Sequence, residues 1–338
     1  MQVIDSMKGK QPLLTIAIPT YNRSAFLELC LKRIGEELDS LSEDQRSWVK
    51  VYIANNASTD NTAEVIFQYQ LIDTEVFEVV HNTENIGAER NVAQCYASAT
   101  TPYVWLFGDD DVILPGKLKL VLDILVKQEI DILYLGGYGY FESYLDEPKR
   151  GRGKSGFVEC SRALDFVKST HVMLTFITAL IVRSGVKTES VSQLVDGSNL
   201  PQLGWILPLV RDGKKFAILE DRIYAAKIGN SGGYGAINVF GNNLINITNS
   251  IFKLQPELAQ AIQNGVIVTW FPTYIMNLRK GESGYLKEDV AIDMGRVFNG
   301  NWRYRLFLEP LISLPITLAR IYFVFVRLTR KLLGTILL

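Results

Sequence analysis

The chain has 338 residues with a formal net charge of −1, of which 48% are hydrophobic and 21% are charged. This is the balance of an ordinary globular protein, and it provides no overall positive field that would attract a nucleic-acid backbone. The three cysteines (Cys30, Cys95 and Cys160) are widely spaced, so we predict neither a disulfide framework nor a zinc site. Residues 1–20 lack a basic start followed by a long apolar run, and we therefore predict no signal peptide.

The first half of the chain alternates short apolar runs with helical patterns. Strands are predicted at 13–18, 49–54, 75–81, 102–107 and 131–137, and helices at 24–38, 59–69, 88–98 and 116–128. This alternation predicts an α/β fold with a mostly parallel, doubly wound sheet. Ligands of such sheets bind at the carboxyl ends of the strands. Three polar stretches follow the first, second and fourth predicted strands: "PTYN", "NNASTD" and "GDDD".

The second half of the chain is less regular. The apolar run 171–182 predicts a strand, and 216–228 predicts one or two more. The stretch 151–156 ("GRGKSG") is typical of a turn or mobile loop, and the Gly- and Asn-rich stretch 229–243 of a flexible loop. From about Leu244 onward the pattern is helical to the last residue.

Three adjacent carboxylates, Asp109, Asp110 and Asp111, follow an aromatic-rich apolar run. Adjacent like charges repel each other, so such a cluster costs stability unless a positive group lies against it. A solvated acidic turn is one interpretation. The other is a site for a hard divalent cation, which prefers oxygen ligands.

Four motifs occur in order: "IPTYNRSAFLELCL", "NNASTDNT", "NTENIGAERNVA" and "LFGDDDVILPG". Over residues 12–230 they resemble the family 2 glycosyltransferases, and most of all the abequosyltransferase-like enzymes of bacterial O-antigen and capsular polysaccharide synthesis. The resemblance implies a GT-A fold, a Rossmann-like sheet flanked by helices. It also implies metal-dependent, inverting transfer of a sugar from a nucleotide-sugar donor, CDP- or UDP-linked, to a lipid-linked glycan.

The acidic cluster departs from the family pattern at one position. The family usually presents Asp-x-Asp-Asp, and here Gly108 stands at the first of these positions. The resemblance implies a Mn²⁺ or Mg²⁺ ion at Asp109 and Asp111, with Asp110 as the third candidate ligand. Such an ion bridges carboxylates and a donor diphosphate, and it stabilises the departing diphosphate.

The resemblance also implies a set of donor-binding residues around the cluster: Pro19, Thr20, Tyr21, Asn22, Asn85, Gly87, Arg90, Asp109 and Asp110. The first four are expected to cradle the nucleoside, and Arg90 to contact its phosphates or base. Asn85 and Gly87 are expected to shape the turn before Arg90. The alternatives are a simple chain turn at Pro19–Asn22 and a solvated helix residue at Arg90.

Asn55 and Asn56 stand where the family usually has two aspartates. An aspartate there accepts the N3–H of uracil, whereas an asparagine amide can donate or accept. Cytosine presents an acceptor at N3 and a donor at N4, so a CDP-sugar fits at least as well as a UDP-sugar. The alternative is that the amide only caps the turn.

The catalytic base is the least defined part of the site. An inverting transferase needs a carboxylate that takes the proton of the acceptor hydroxyl. The family often places it about a dozen residues before a glycine, but that spacing from Gly213 falls on Pro201 and Gln202. We predict Asp196, the nearest upstream acid, as the base, and Glu189 remains an alternative. The pair Glu220–Asp221 lies between strand-like runs and is treated as a decoy, and His171 is expected to pack in the core.

The segment 302–338 carries six basic side chains and one acid, Glu309. Its longest uncharged run, Pro310–Ala319, is well short of a membrane-spanning helix. Arg320, Arg327 and Lys331 are spaced 7 and 4 apart, so they share one helical face. This pattern predicts interfacial helices on an anionic membrane surface, broken at the prolines 310 and 315. The alternative is a helix pair packed on the catalytic domain or in a homo-oligomer interface.

We therefore predict three regions: a catalytic domain over 1–240, a helical segment over 241–301 and membrane-associating helices over 302–338. The predicted location is the cytoplasmic face of a bacterial inner membrane, as a peripheral protein. Two other classes were weighed. A sugar nucleotidyltransferase would carry a Gly-rich basic loop where this chain has "PTYNRS". A non-catalytic membrane scaffold would have no need of the acidic cluster.

Overall fold

The computed structural model describes residues 11–146, 155–188, 191–229, 233–282 and 284–338. These residues fold into two compact units built from interleaved segments of the chain. The first unit takes the described residues up to 161 together with 176–188 and 213–228, and it contains the sheet. The second takes 162–175, 191–212 and the described residues from 229 onward, and it is helical. The predicted boundaries at 240/241 and 301/302 stay predictions.

The described part of the first unit contains nine strands in one sheet. They are β1 (Leu14–Thr20), β2 (Val49–Asn55), β3 (Phe77–His81), β4 (Tyr103–Leu106), β5 (Val112–Ile113), β6 (Ile132–Tyr140), β7 (Phe157–Cys160), β8 (Leu180–Arg183) and β9 (Phe216–Lys227). The order across the sheet is β3-β2-β1-β4-β8-β6-β9-β5, with β7 paired to β9. The carboxyl ends of β1, β2 and β4 therefore lie side by side, as the sequence predicts.

The pairing is parallel in the first half of the chain and mixed in the second. β1 pairs in parallel with β2 and β4, and β2 pairs in parallel with β3. β8 then runs antiparallel between β4 and β6, while β6 and β9 are parallel. The short strands β5 and β7 are both antiparallel to β9. The sheet is thus an α/β sheet whose second half carries more antiparallel pairing than the alternation of elements indicates.

Five helices belong to the described first unit: α1 (Ser24–Asp39), α2 (Glu43–Ser47), α3 (Thr62–Ile72), α4 (Ala88–Ala97) and α5 (Lys117–Lys127). α1 buries Leu27, Leu31 and Leu38, which recur at helical spacing. The carboxylate of Glu37 accepts hydrogen bonds from the backbone N–H groups of Gly116 (2.8 Å) and Leu118 (3.1 Å). Glu37 thereby caps the start of α5 and fixes the chain that leaves the acidic cluster.

Two predictions for the second half were wrong. The run 171–182 is not one strand, because 171–175 and 177–179 form tight 3₁₀ turns and only Leu180–Arg183 is extended. The stretch 229–243 is not all loop, because a π-helical turn occupies Asn238–Asn243. The Glu288 carboxylate accepts hydrogen bonds from the N–H groups of Ile237 (2.9 Å) and Asn238 (3.0 Å). This long-range cap stabilises a helix that the local composition disfavours.

The described part of the second unit contains nine α-helices. They are α6 (Ala163–Thr170), α7 (Ser192–Val195), α8 (Leu203–Asp212), α9 (Leu244–Ile251), α10 (Pro256–Gly265), α11 (Phe271–Leu278), α12 (Val290–Phe298), α13 (Glu309–Ser313) and α14 (Ile316–Leu333). Further π-helical turns lie at Val266–Trp270 and Tyr304–Leu308. The helical pattern predicted for the C-terminal part is confirmed, with the predicted break at Pro315 between α13 and α14. The break predicted at Pro310 is wrong, because Pro310 occupies the first turn of α13, where a proline is tolerated. Within the described ranges, none of these helices is both long and apolar enough to cross a lipid bilayer.

Candidate functional site

The three carboxylates lie in a turn directly after β4, and they differ in exposure. Asp109 and Asp111 are buried, at 5% and 2% of their full exposure. The side chain of Asp110 is 15% exposed and is the most accessible of the three. The hydroxyl of Tyr140 donates to the backbone oxygen of Asp110 (2.9 Å), which holds the middle of the turn. The cluster is therefore a packed feature of the fold and not a solvated turn.

Asp109 is held by the loop that follows β1. The Thr20 hydroxyl donates to Asp109 Oδ2 (2.8 Å), and Arg23 Nε lies 3.3 Å from Asp109 Oδ1. Burial raises the pKa of the Asp109 carboxyl to about 7, although the nearby Arg23 guanidinium works against that rise. Asp109 thus ties the "PTYN" loop to the acidic turn.

Asp111 is held by two later segments of the chain. The Thr178 hydroxyl donates to Asp111 Oδ2 (2.5 Å), and the backbone N–H of Lys227 donates to Oδ1 (3.0 Å). The backbone N–H of Gly108 in turn donates to the Thr178 hydroxyl (3.0 Å). Burial, followed by the charge of Asp110, raises the pKa of the Asp111 carboxyl to about 8. Asp111 therefore connects the turn to β9 and to the segment before β8.

Arg23 provides the positive charge that the cluster needs. Its Nη2 donates to Asp110 Oδ2 (2.6 Å) while its Nε faces Asp109. A guanidinium presents several donors in a planar fork, so one side chain can serve two carboxylates. Arg23 thereby reduces the repulsion among the three adjacent carboxylates.

Gly108 explains the departure from the Asp-x-Asp-Asp pattern. A Cβ at this position would lie 2.9 Å from Asp111 Oδ2 and 3.1 Å from Asp110 Oδ1. The carboxylates therefore fold back over the glycine and occupy space that a side chain would need.

The loops after β1 and β2 are joined through Asn22. Asn22 has a positive φ of 51°, and its side-chain oxygen accepts a hydrogen bond from the backbone N–H of Thr59 (2.7 Å). Its own backbone N–H donates to the Ser58 hydroxyl (2.9 Å). Tyr21 is 40% exposed beside it, and Pro19 lies within β1 opposite Ala54. The "PTYN" and "NNASTD" stretches thus form one continuous edge, as the sequence predicts.

Asn55 and Asn56 are buried and hydrogen-bonded within the protein. Asn55 Oδ1 accepts from the backbone N–H of Ser58 (3.0 Å), and its Nδ2 lies 3.1 Å from His81 Nδ1. Asn56 Oδ1 accepts from the backbone N–H of Ile86 (3.0 Å) and from Asn82 Nδ2 (3.1 Å). This is the geometry expected if the amides cap the turn, and it leaves few of their donors and acceptors for a base.

Asn85, Gly87 and Arg90 lie where α4 begins. Asn85 Oδ1 accepts from Asn56 Nδ2 (2.8 Å) and from the backbone N–H of Gly87 (2.9 Å). Gly87 has a φ of 88°, which favours glycine, and it immediately precedes the helix. Arg90 is exposed on the first turn of α4. The structure therefore brings this turn against Asn56 and leaves the Arg90 guanidinium toward solvent.

Residues 15–187, just over half of the chain, match the family described as Glycosyl transferase family 2. The chain belongs to glycosyl transferase family 2. The predicted family is therefore confirmed. The match contains all three loops described above.

Two curated relatives are similar to part of this family 2 chain. Abequosyltransferase RfbV of Salmonella typhimurium is 31% identical over 118 residues, 34% of this chain and 33% of RfbV. Hyaluronan synthase of Pasteurella multocida is 27% identical over 129 residues, 38% of this chain and 12% of the synthase. The matched segments thus span a third or less of the length of these relatives.

Solved structures resemble this family 2 chain over nearly its whole length. The crystal structure of S. aureus TarS 1–349 superimposes with a TM-score of 0.54 at 14% identity, covering 95% of this chain and 91% of that one. The same fragment in complex with UDP gives a TM-score of 0.54 at 15% identity. The likeness confirms the predicted GT-A fold class together with its helical C-terminal region.

The catalytic carboxylate that the family often has about a dozen residues before a glycine is absent at the start of α8. α8 begins at Leu203, directly after Pro201 and Gln202, and Gln202 Nε2 donates to the backbone oxygen of Thr175 (2.5 Å). Asp196 is exposed at the end of α7, in the second unit. Glu189 lies outside the described residues. The assignment of Asp196 as the base stays a prediction.

Two further residues weighed as site candidates lie in packed surroundings. Asp221 is inside β9, 3.5 Å from Lys117 Nζ, and its Oδ2 accepts from the backbone N–H of Gly156 (3.3 Å). His171 is in the second unit, where burial, with Arg330 nearby, lowers its pKa to about 4. Its Cβ lies against Gly265, so closely that a side chain at 265 would collide with it. His171 is therefore neutral at physiological pH and packs against α10.

A divalent cation at the acidic turn would need oxygen ligands. In the part of the chain that the structure describes, no group of three His, Cys, Asp or Glu side chains is arranged to hold a metal ion by itself. Magnesium in phosphate-handling sites is commonly held by one or two carboxylates plus the substrate phosphates. The carboxylate of Asp110, the most accessible of the three and supported by buried Asp109 and Asp111, fits a shared site of that kind.

Thr178 and Lys227 were not identified from the sequence. Thr178 contributes a hydroxyl and Lys227 a backbone N–H, and neither lies in a motif with a recognisable spacing. Arg23 lies in the motif "IPTYNRSAFLELCL", and its position directly after "PTYN" is the sequence signal that could have identified it.

Proposed function

We propose that this chain transfers a sugar from a nucleoside diphosphate donor to a lipid-linked glycan in bacterial surface polysaccharide synthesis. The observation that carries the proposal is the joining of the loops after β1 and β2 to the acidic turn after β4, through the hydrogen bonds of Thr20 to Asp109 and of Asn22 to Thr59. A nucleotide needs an extended polar edge for its base and ribose next to a place for its diphosphate. The carboxyl edge of β1, β2 and β4 offers both.

We assign the divalent cation, Mn²⁺ or Mg²⁺, first to Asp110. The sequence favours Asp109 and Asp111, but each of these is buried with both carboxylate oxygens facing protein donors. Asp110 is the most exposed of the three and carries the negative charge closest to solvent. When bound, the cation neutralises the diphosphate charge as the sugar leaves it. Asp109 and Asp111 hold the turn in place.

The remaining residues bind and orient the donor. Tyr21 presents an exposed ring beside Asn22, where a nucleoside can lie against it. Arg90, on the first turn of α4, offers a cation near a helix N-terminus, which favours phosphate oxygens. Asn55 and Asn56 shape the base side of the edge through their turn hydrogen bonds. A CDP- or a UDP-sugar is compatible with this set.

The acceptor half of the reaction is supported mainly by relatives. The name of RfbV, an abequosyltransferase, supports a hexosyl or deoxyhexosyl group as the transferred sugar. We assign proton removal from the acceptor hydroxyl to Asp196, with inversion at the sugar carbon. We also propose that the reaction takes place on the cytoplasmic face of a bacterial inner membrane, where nucleotide sugars and lipid-linked glycans meet.

Calorimetric titration of CDP and UDP, each with and without Mn²⁺, tests the donor half. The wild type is expected to bind one of the two at least tenfold more tightly with Mn²⁺, because a cation held at Asp110 would also attract the diphosphate oxygens. Asp110→Asn is expected to lose the Mn²⁺-dependent part. The control Asp39→Asn removes an exposed acid at the far end of α1 from Arg23 and should behave as wild type. Absence of binding of either nucleotide under all conditions would contradict the proposal.

A further inference from the structure

α14 has one buried face and one apolar face that is exposed. Its buried face contains Ala319 and Val326, at 0% and 1% exposure. The opposite side carries six large apolar side chains that are between 47% and 81% exposed. We call these residues the apolar stripe: Leu318, Ile321, Val324, Phe325, Leu328 and Leu332. Such a run of apolar side chains in water marks an interaction surface more often than a solvated helix face.

The geometry of an α-helix collects these residues on one side. At about 100° per residue, the apolar stripe occupies an arc of about 120° along the helix. Arg320, Arg327 and Lys331 are all exposed and lie together along one border of that arc. The basic residues therefore border the exposed apolar residues, and do not oppose them as a simple amphipathic pattern would place them.

The three basic side chains have no acidic partner in the described residues, whereas two other basic residues of the segment are engaged. Arg303 Nε donates to the backbone oxygen of Leu337 (2.5 Å), and Arg330 Nη1 donates to that of Thr269 (3.3 Å). Arg327 only lies over the Phe323 ring, at 5.9 Å from its centre. The segment 302–338 holds six basic residues against one acid, so the surface carries uncompensated positive charge.

We propose that this face of α14 docks on an anionic lipid surface. The apolar stripe enters the boundary between headgroups and acyl chains, and Arg320, Arg327 and Lys331 contact lipid phosphates beside it. An amphipathic helix with a basic border binds in this way through buried apolar area together with attraction to anionic lipid. A second copy of the chain would bring the same positive charges together, which favours lipid as the occupant. The inference concerns residues other than those of the donor site and goes beyond the proposed transfer reaction.

Co-sedimentation of the full chain with vesicles tests this directly. The vesicles are phosphatidylcholine alone or phosphatidylcholine with about one third phosphatidylglycerol, at low and at high salt. The test variant is Arg327→Gln with Leu328→Gln, and the matched control is Lys253→Gln with Leu254→Gln, an exposed basic–leucine pair between α9 and α10. All four substituted side chains are exposed, so folding should be unaffected, and circular dichroism verifies this.

The wild type and the control should bind anionic vesicles and be released by high salt, because the Debye length shortens. Removing one basic residue is expected to cost about fivefold in binding, and removing Leu328 should weaken it further. Three results would overturn the proposal: no binding to anionic vesicles, equal loss in test variant and control, or a dimer in ultracentrifugation that only the test variant breaks. Because no nucleotide is present, failure here leaves the donor site unaffected.

Discussion

Arg23 Nη2 lies 2.6 Å from Asp110 Oδ2, and its Nε is 3.3 Å from Asp109 Oδ1. One guanidinium thus serves two of three adjacent carboxylates, including the one that we assign to the cation. A cation arriving at Asp110 must share that carboxylate with Arg23. Arg23 is therefore both the stabilising counter-charge of the cluster and a competitor for the metal.

The variant Arg23→Met is expected to bind Mn²⁺ alone about fivefold more tightly than wild type, because an ion pair of this exposure contributes up to about 1 kcal/mol. Electron paramagnetic resonance of free Mn²⁺ in a protein titration measures this without any nucleotide. Arg23→Lys keeps the charge and should bind Mn²⁺ as wild type does. Unchanged or weaker Mn²⁺ binding by Arg23→Met would show that Arg23 does not compete for this carboxylate.

The stability of the metal-free protein should fall as pH rises from about 5 to about 8. Burial raises the pKa of Asp109 to about 7 and that of Asp111 to about 8, both above the value of an unfolded aspartate. The folded state therefore binds more protons than the unfolded state in this range, and the free energy of unfolding decreases with pH.

The melting temperature, measured between about pH 5 and about pH 8 in a chelating buffer, shows how steeply stability falls with pH. Asp111→Asn removes one of the two raised groups and should flatten the decrease, while Asp39→Asn, which changes an exposed acid, should leave it as in wild type. A melting temperature that rises with pH in the wild type would be inconsistent with buried carboxyls of raised pKa.

Thr178→Val should destabilise the acidic turn, although the two side chains have nearly the same volume. It leaves Asp111 Oδ2 without the Thr178 hydroxyl and the Gly108 N–H without its acceptor. Buried polar groups that lose partners cost about 1–3 kcal/mol each, so we expect a loss of at least about 1 kcal/mol in urea unfolding. Thr178→Ser retains the hydroxyl and should lose less. No loss in Thr178→Val, or a larger loss in Thr178→Ser than in Thr178→Val, would indicate that the methyl group and not the hydroxyl matters.

Gly108→Asp restores the family's usual first acid, and we expect it to weaken the site. A Cβ at 108 meets the carboxylates of Asp111 and Asp110, and a fourth negative charge adds repulsion. The free energy of unfolding should fall by about 1–3 kcal/mol, as overpacked positions typically do. Gly108→Ala separates the two causes, since it adds the Cβ without the charge. An Asp variant as stable as wild type would show that the turn can rearrange.

The first half of the fold could be predicted because its signals are local. The apolar run of β1, buried along most of its length, and the helical spacing of α1 are both visible in consecutive residues. The strand ends then place Thr20, Asn55 and Asp109 on one edge, as parallel strands require. The four family motifs follow β1, β2, β3 and β4 in chain order, and so their loops gather at one edge of the sheet.

The rest depends on contacts between distant parts of the chain. The run 171–182 is continuous and apolar, which does not distinguish a strand from the two tight turns that precede β8. Thr178 reaches Asp111 across 67 positions, and Glu288 caps the turn at Asn238 across 50. The short strand β5 is defined by its pairing with β9, not by its own two residues. No local sequence pattern predicts contacts between residues so far apart in the chain.

The central claim is that a divalent cation joins Asp110 to the diphosphate of the donor. The relaxation rate of water protons in a solution of Mn²⁺ and CDP or UDP, measured as protein is added, tests it most directly. We predict a rise in relaxation for wild type and Asp39→Asn, because Mn²⁺ tumbles slowly in a ternary complex, and no rise for Asp110→Asn. An equal rise in Asp110→Asn, or none in wild type with either nucleotide, would contradict the account.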